Sequence, residues 1–199
     1  MKPSSRELTK HIIENGILKF GDFTLKSGKK SWFYIDLRLI PSYPDTFNLA
    51  IRCFKVLLDK IDECDAVAGV AVGGIPFSSV IGYKLKIPSL VVRTHQKDYG
   101  LKKKIEGIAK AGAKIVLVDD LITTGSSKIP GILALREKGF ILKNMVVLID
   151  RSQGNLGQIE EIGVKLHSFV TIEDIFNECL SLDDKLVLSE VKETIKKNL

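Results

Sequence analysis

Two adjacent carboxylates and a hydroxyl-rich turn share one short stretch of the chain, KIVLVDDLITTGSSK, at residues 114–128. The carboxylates of Asp119 and Asp120 follow the apolar run 115–118, which is typical of a strand buried on both faces. The turn 123–127 contains only threonine, glycine and serine, and a helical pattern follows it. Small residues let backbone N–H groups approach an anion, and a helix N-terminus adds partial positive charge. The turn therefore suits a phosphate group.

The carboxylates suit a different part of a ligand. Asp119 and Asp120 only accept hydrogen bonds when ionised, so they can hold vicinal hydroxyls such as those of a ribose. Hydrogen-bond donors for a phosphate therefore lie next to carboxylate acceptors for a diol, and together they indicate a ribose 5-phosphate. The expected place is the carboxyl edge of a parallel sheet, where α/β folds bind ligands. Two alternatives stay open: the residues simply end a strand and cap a helix, or the carboxylates are metal ligands.

This stretch resembles the 5-phosphoribosyl 1-pyrophosphate (PRPP) signature of type I phosphoribosyltransferases, and the match is unbroken from Ile115 to Ser127. The resemblance implies that the two aspartates orient the ribose and its metal, while residues 123–127 hold the 5′-phosphate. The PRPP contacts that it implies here are Asp119, Asp120, Leu121, Ile122, Thr123, Thr124, Gly125, Ser126 and Ser127.

The N-terminal region carries a second pattern, in which two short runs flank the turn 27–30 and predict an antiparallel hairpin. Residues 23–28 with Ser31 and residues 34–38 resemble the opening of orotate phosphoribosyltransferases. The resemblance implies that Lys26 acts in catalysis and binds orotate, and that Phe33 and Tyr34 stack on the base. A cation beside an aromatic face suits a flat anionic ring. The alternative is an ordinary hairpin with an exposed lysine.

Arg151 follows Asp150 at the end of a predicted strand. The resemblance implies that Arg151, with Thr123, fixes the carboxylate of orotate. A guanidinium binds a carboxylate through two parallel hydrogen bonds, which lysine cannot do. Alternatively, Arg151 pairs with Asp150 or Asp120 and only stiffens the loop.

A polar, lysine-rich segment without apolar periodicity runs from Thr94 to Gly112. Loops of this size inside a compact domain are usually functional or disordered. Arg93 and the Lys-Asp-Tyr-Gly run at 97–100 resemble the mobile catalytic loop of the family. The resemblance implies a homodimer in which loop 94–108 reaches the neighbouring site. It implies PRPP contacts at Arg93, Thr94, Lys97 and Tyr99. It also implies that Lys97 and Tyr99 act in catalysis.

A further match, Val70 to Gly74, falls where the family forms its pyrophosphate-binding loop, and it implies PRPP contacts at Val72 and Gly73. Adjacent glycines permit close approach to an anion. The chain departs from the pattern at Gly73 and Thr94, where many relatives carry lysine, and Tyr99 stands where many bacterial members carry histidine.

Composition predicts a globular protein of 199 residues with one domain, because 45% of residues are hydrophobic and 27% are charged. The net charge of +6 fits anionic ligands, but no aromatic ladder accompanies the basic run 102–104, so nucleic-acid binding is not favoured. Three widely spaced cysteines predict reduced core thiols. The uncharged stretch 66–83 is broken by glycine, proline and serine, which favours a strand, loop and helix over a membrane span. We expect a cytoplasmic protein.

Strands and helices alternate from Ala66, which predicts a parallel sheet with right-handed crossovers. We expect an α/β protein with the type I phosphoribosyltransferase fold: a central five-stranded parallel sheet flanked by helices, with an N-terminal helix and β-hairpin hood. The expected regions are the hood 1–44, the core 45–170 and the C-terminal helices 171–199. Expected strands are 66–72, 89–93, 114–119, 144–150 and 164–170, and expected helices include 45–61, 76–86, 126–138 and 156–162.

The resemblance as a whole implies an enzyme of pyrimidine biosynthesis. It would convert orotate and PRPP to orotidine 5′-monophosphate and pyrophosphate, with Mg²⁺ bound mainly through PRPP and Asp119 and Asp120 nearby. A purine or uracil phosphoribosyltransferase is a second hypothesis, against which the hairpin and Arg151 argue. A non-catalytic regulator that senses PRPP is the third.

Overall fold

The computed structural model describes residues 2–24, 28, 30–93 and 104–199. The chain divides into two compact units. Unit 1 comprises residues 1–50 and 170–199, and unit 2 comprises residues 51–169.

The helices and strands follow the order expected for an α/β chain. The helices are α1 (Ser5–Glu14), α2 (Pro44–Leu58), α3 (Gly74–Leu85), α4 (Ile129–Glu137), α5 (Gly157–Glu161), α6 (Ile172–Ser181) and α7 (Ser189–Asn198). The strands are β1 (Leu18–Thr24), β2 (Lys30–Ile35), β3 (Ala66–Val70), β4 (Ser89–Val92), β5 (Ile105–Glu106), β6 (Lys114–Ile122), β7 (Ile141–Asp150) and β8 (Lys165–Thr171). Two short 3₁₀ helices cover Leu37–Ser42 and Ser126–Lys128.

Unit 1 contains the predicted N-terminal helix and hairpin. Ser4 caps α1 by accepting a hydrogen bond from the Glu7 backbone N–H at 3.1 Å, as the spacing of these residues predicts. Strands β1 and β2 pair antiparallel. An aromatic cluster covers one side of the hairpin, where Trp32 lies 4.7 Å from Phe176 of α6 between ring centroids.

Unit 2 is built around one sheet with the strand order β5-β4-β3-β6-β7-β8. Strand β3 pairs parallel with β4 and β6, and β6 pairs parallel with β7. The sheet has one strand more than the five expected, because the two-residue β5 pairs antiparallel with β4. It lies within the segment 94–112 that the sequence left without a strand, since two residues give no periodicity to detect.

The centre of the sheet is apolar on both faces. All five residues of β3 are buried, as are 115–119 of β6 and 145–149 of β7. This burial explains why these strands are continuous apolar runs. Residues 66–83 form β3, a loop and most of α3, as predicted, and none of the helices in the described part of the chain has both the length and the apolar composition needed to cross a bilayer.

The structure corrects the predicted start of α2 and the predicted end of β6, and it confirms that the cysteines are free thiols. The sequence predicts Asp45 as the cap of α2, but the helix begins at Pro44, so Asp45 lies in its first turn; proline is well suited to a first helical position. Strand β6 extends to Ile122, three residues past the predicted end, because its pairing with β7 continues. Cys53, Cys64 and Cys179 are all free thiols, and Cys53 and Cys179 are buried.

Candidate active site

The predicted PRPP-binding residues of unit 2 that the structure describes lie at or just beyond the carboxyl ends of neighbouring strands, as does Arg151, which is predicted to bind orotate. Val72 and Gly73 follow β3, Arg93 follows β4, Asp119 to Ser127 lie at the end of β6, and Arg151 follows β7. These strands are adjacent in the sheet and the central pairs are parallel. The topology therefore places these groups along one edge.

Asp119 and Asp120 lie inside strand β6 and not beyond it. Asp119 is opposite Val147 in the register with β7, and pairing continues to Ile122 opposite Asp150. Successive side chains of a strand point to opposite faces. The two carboxylates accordingly differ: Asp119 is 2% exposed, whereas Asp120 is partly exposed.

The buried Asp119 carboxylate is engaged at both oxygens. Its Oδ1 accepts a hydrogen bond from the Asp120 backbone N–H at 3.0 Å, and its Oδ2 forms an ion pair with Lys128 Nζ. Burial, and then the charge of Asp120, raise the pKa of Asp119 to about 7, while Lys128 acts in the opposite direction. Asp119 is thus an internal anchor of the turn in this structure.

Asp120 faces the loop between β3 and α3. A Cβ atom built on Gly73 would lie 2.3 Å from Asp120 Oδ2, so the carboxylate sits directly against the Gly73 backbone. A Cβ atom on Gly74 would lie 2.3 Å from the backbone oxygen of Val118. Both glycines are therefore needed for the N-terminus of α3 to approach β6 this closely.

The hydroxyl-rich turn is held in shape by Gly125. Its φ of +75° is a left-handed conformation, and a Cβ atom there would lie 2.5 Å from Ile159 Cγ1. The Gly125 carbonyl accepts a hydrogen bond from the Lys128 backbone N–H at 2.8 Å. The hydroxyl groups of Thr124 and Ser126 are hydrogen-bonded to each other at 3.0 Å. The side chains at 123, 124, 126 and 127 are exposed, so their hydroxyls are open to a ligand.

Arg151 lies beside this turn. Its backbone N–H donates to the Ile122 carbonyl at 2.8 Å, which places the Arg151 backbone next to the residue that precedes Thr123. Burial lowers the pKa of the Arg151 guanidinium, which nevertheless remains charged at neutral pH. Asp150 Oδ1 accepts a hydrogen bond from the Ser152 backbone N–H at 2.7 Å.

Arg93 stands at the other end of the edge. Its backbone N–H donates to the Lys104 carbonyl at 2.9 Å, and its Nε lies 3.6 Å from Glu106 Oε1. Arg93 and Lys104, the two described residues that flank 94–103, are therefore paired at the carboxyl end of β4.

Comparison with known proteins agrees with this geometry. Residues 47–174 match the family model described as the phosphoribosyl transferase domain. The chain is 38% identical to the orotate phosphoribosyltransferase of Pyrobaculum aerophilum over 86% of this chain and 89% of that protein. The chain belongs to the orotate phosphoribosyltransferase family.

Solved structures support the same assignment. The orotate phosphoribosyltransferase of Aeropyrum pernix is 31% identical, with a TM-score of 0.79 over 88% of this chain and 99% of that one. Leishmania donovani UMP synthase gives a TM-score of 0.83 at 30% identity. The match covers 100% of this chain but only 42% of UMP synthase, so this chain corresponds to less than half of that protein. The type I phosphoribosyltransferase fold is thereby confirmed.

Within this family assignment, the two aromatic residues predicted to stack on orotate have different surroundings in unit 1. Phe33 is 8% exposed, and its ring lies 5.0 Å from those of Trp32 and Phe176. Tyr34 points to the opposite side of β2 and is 37% exposed, with Arg38 Nη2 3.4 Å from its hydroxyl. Of the two, Tyr34 offers the more accessible ring.

Four predicted site residues, Lys26, Thr94, Lys97 and Tyr99, lie outside the residues that the structure describes. Their assigned roles in the orotate phosphoribosyltransferase family stay predictions. Conversely, sequence reasoning gave Lys128 no role, although it contacts the first aspartate of the signature. The available signal was a lone lysine at the end of an otherwise uncharged turn.

Proposed function

We propose that the protein transfers the 5-phosphoribosyl group from PRPP to orotate, giving orotidine 5′-monophosphate and pyrophosphate in pyrimidine biosynthesis. The observation that carries this proposal is the hydrogen bond from Arg151 to Ile122. It places the backbone of Arg151, whose guanidinium is suited to a carboxylate-bearing base, beside a turn suited to a ribose phosphate. The similarity to named orotate phosphoribosyltransferases over most of the chain supports the same substrate pair.

The proposed chemistry depends on positioning and charge. The bond between ribose C1′ and the pyrophosphate oxygen breaks with its electron pair leaving on pyrophosphate, a bond to the orotate ring nitrogen forms, and the proton of that nitrogen passes to the departing pyrophosphate or to water. Asp120, with its partly exposed carboxylate, would hold the ribose hydroxyls, while the turn 123–127 would bind the 5′-phosphate through N–H groups and hydroxyls. Charge placed around an oxocarbenium-like transition state lowers its energy without a covalent intermediate. Lys26, Lys97 and Tyr99 would steady the leaving pyrophosphate.

We propose Mg²⁺ as the cofactor. No three His, Cys, Asp or Glu side chains in the described ranges are grouped as a metal site. Mg²⁺ often binds through substrate phosphates with one or two protein carboxylates, and Asp120 at the sheet edge fits such a site. When bound, Mg²⁺ would neutralise charge on the pyrophosphate.

We further propose a cytoplasmic homodimer in which residues 94–108 act on the neighbouring site. The hydrogen bond between Arg93 and Lys104 supports a closing loop at this edge, because it pairs the two residues that flank 94–103 at the carboxyl end of β4. Closure over a reactive sugar cation would exclude water. The oligomeric state is measured directly by sedimentation.

The direct test is orotate consumption followed by ultraviolet absorbance, with PRPP and Mg²⁺, for the wild type and for Lys97→Ala. We expect loss of orotate that needs both additions and falls by at least about tenfold in the variant, since a cation near the leaving group is removed. Activity that survives the substitution would refute the role of Lys97 alone. PRPP binding without orotate consumption would refute the base assignment and favour another base or a PRPP-sensing regulator.

A further inference from the structure

The ion pair between Asp119 and Lys128 is unusual in its burial. Among the charged side chains in the described part of the chain, Asp119 is the buried one, and the Lys128 side chain is only 15% exposed. Taking two charges out of water is costly, and a buried pair is maintained only when both partners are well matched. Loss of either partner would leave the other charge buried and uncompensated.

The pair also joins the two ends of the candidate phosphate-binding turn. Asp119 lies in β6 before the turn, and Lys128 is the last residue of the 3₁₀ helix Ser126–Lys128, which begins within the turn and ends just after it. The Lys128 backbone N–H donates a hydrogen bond to the Gly125 carbonyl, while its ammonium forms an ion pair with Asp119. Lys128 therefore closes the turn twice, once through its backbone and once through its side chain.

The contact continues to Asp120. Asp119 Oδ1 accepts from the Asp120 N–H at 3.0 Å, and the Asp120 carboxylate lies against Gly73. A single chain of contacts thus runs from the Lys128 ammonium, through the buried Asp119 carboxylate, to the backbone N–H of Asp120, whose own carboxylate lies beside Gly73.

We propose that Lys128 is a positioning residue for PRPP, which acts through Asp119 to hold Asp120 and the turn 123–127 in the binding geometry. This inference rests on the proposed function, because it takes PRPP as the ligand of this edge. Lys128 does not bind the phosphate itself: its ammonium is turned inward to Asp119 and is largely withdrawn from solvent.

PRPP binding by calorimetry, on the full chain with Mg²⁺ and without orotate, tests this role. We expect Lys128→Met to weaken binding by about tenfold or more, because the buried partner loses its counter-charge. Lys128→Arg keeps that charge and should stay within about threefold of wild type. Lys110→Met, which removes an exposed lysine before the start of β6 and so at the opposite end of that strand from the turn, is the matched control and should bind normally.

A double-mutant cycle separates positioning from direct contact. If Lys128 acts through Asp119, the double variant Asp119→Asn/Lys128→Met should bind PRPP as well as Asp119→Asn alone. A further loss in the double variant, equal to that of Lys128→Met by itself, would overturn the proposal in favour of a phosphate contact. Wild-type affinity in Lys128→Met would overturn it too.

The double variant also covers a failure of Lys128→Met to fold, since it contains no uncompensated buried carboxylate. Comparing PRPP binding by this double variant with binding by Asp119→Asn then shows whether Lys128 acts through Asp119. Wild-type protein that binds PRPP but leaves orotate unchanged would refute the orotate assignment and not the role of Lys128. Wild-type protein that fails to bind PRPP would refute both.

Discussion

The carboxylate of Asp120 occupies the space beside Gly73 where a side chain would begin, with Oδ2 2.3 Å from the position of a Cβ atom. The sequence pattern marks this glycine as a departure, because many relatives carry lysine there. The structure gives a steric reason for glycine at position 73, because the Asp120 carboxylate fills the space that a side chain would need. Any side chain at position 73 requires Asp120 to move, so the two residues are fitted to each other.

Gly73→Ala should therefore displace Asp120 and weaken PRPP binding. We expect the KM for PRPP to rise by about tenfold, the loss typical of one misplaced polar contact. The free energy of unfolding should change little, because the displaced group is at the surface end of a short side chain. Steady-state kinetics with urea unfolding measures both. Gly157→Ala is the control, since a Cβ atom there meets nothing within 4 Å; an unchanged KM in Gly73→Ala would contradict the fitted pair.

Gly125→Ala should damage both stability and ligand binding. The new methyl group meets Ile159 at 2.5 Å and forces a left-handed φ on alanine. We expect a loss of about 2–3 kcal/mol in the free energy of unfolding, from strain and overpacking together. Gly112→Ala has a similar φ of +73° with nothing within 4 Å, so it isolates the cost of the backbone conformation. Equal losses in the two variants would show that the contact with Ile159 is unimportant.

Arg151→Met should act on orotate and leave PRPP alone. We expect kcat/KM for orotate to fall by about 100-fold, because a two-point guanidinium–carboxylate contact is lost. Arg151→Lys keeps the charge without the fork and should recover only part of the activity. PRPP affinity, measured separately by calorimetry, should stay near wild type in both variants. A parallel loss of PRPP affinity would instead indicate that Arg151 stiffens the loop.

The pH dependence of stability should carry a component from Asp119. The pKa of Asp119 is raised from 3.8 to about 7 in the folded protein. Between these pH values the folded state retains a proton that the unfolded state has lost, so this group's contribution to the free energy of unfolding falls as pH rises. Urea midpoints from pH 5 to pH 8 should show wild type losing stability relative to Asp119→Asn. A constant difference across this range would contradict the raised pKa.

The family and the order of the strands and helices, apart from β5, could be predicted from local patterns. Apolar runs such as 115–118 identify buried strands because both faces lack polar residues. The signature 115–127 identifies the ligand class because a phosphate needs N–H donors, small residues and hydroxyls in sequence. These are properties of neighbouring residues, and the sequence contains them directly.

Other features depend on residues that are distant in sequence or on pairing between strands. The end of β6 at Ile122 follows from its register with β7, and the two-residue β5 exists only because β4 offers it a partner. The burial of Phe33 depends on Phe176, more than a hundred residues further along the chain.

The sequence by itself determined that this protein has an Asp-Asp pair and a phosphate-type turn at the end of a buried strand. It could not distinguish the two aspartates, which are chemically identical and adjacent. Only the tertiary structure separates them: one face of β6 buries Asp119 with Lys128, and the other turns Asp120 toward Gly73. The physical reason is that burial and ion pairing arise from what packs against each face of a strand, and those neighbours come from other parts of the chain.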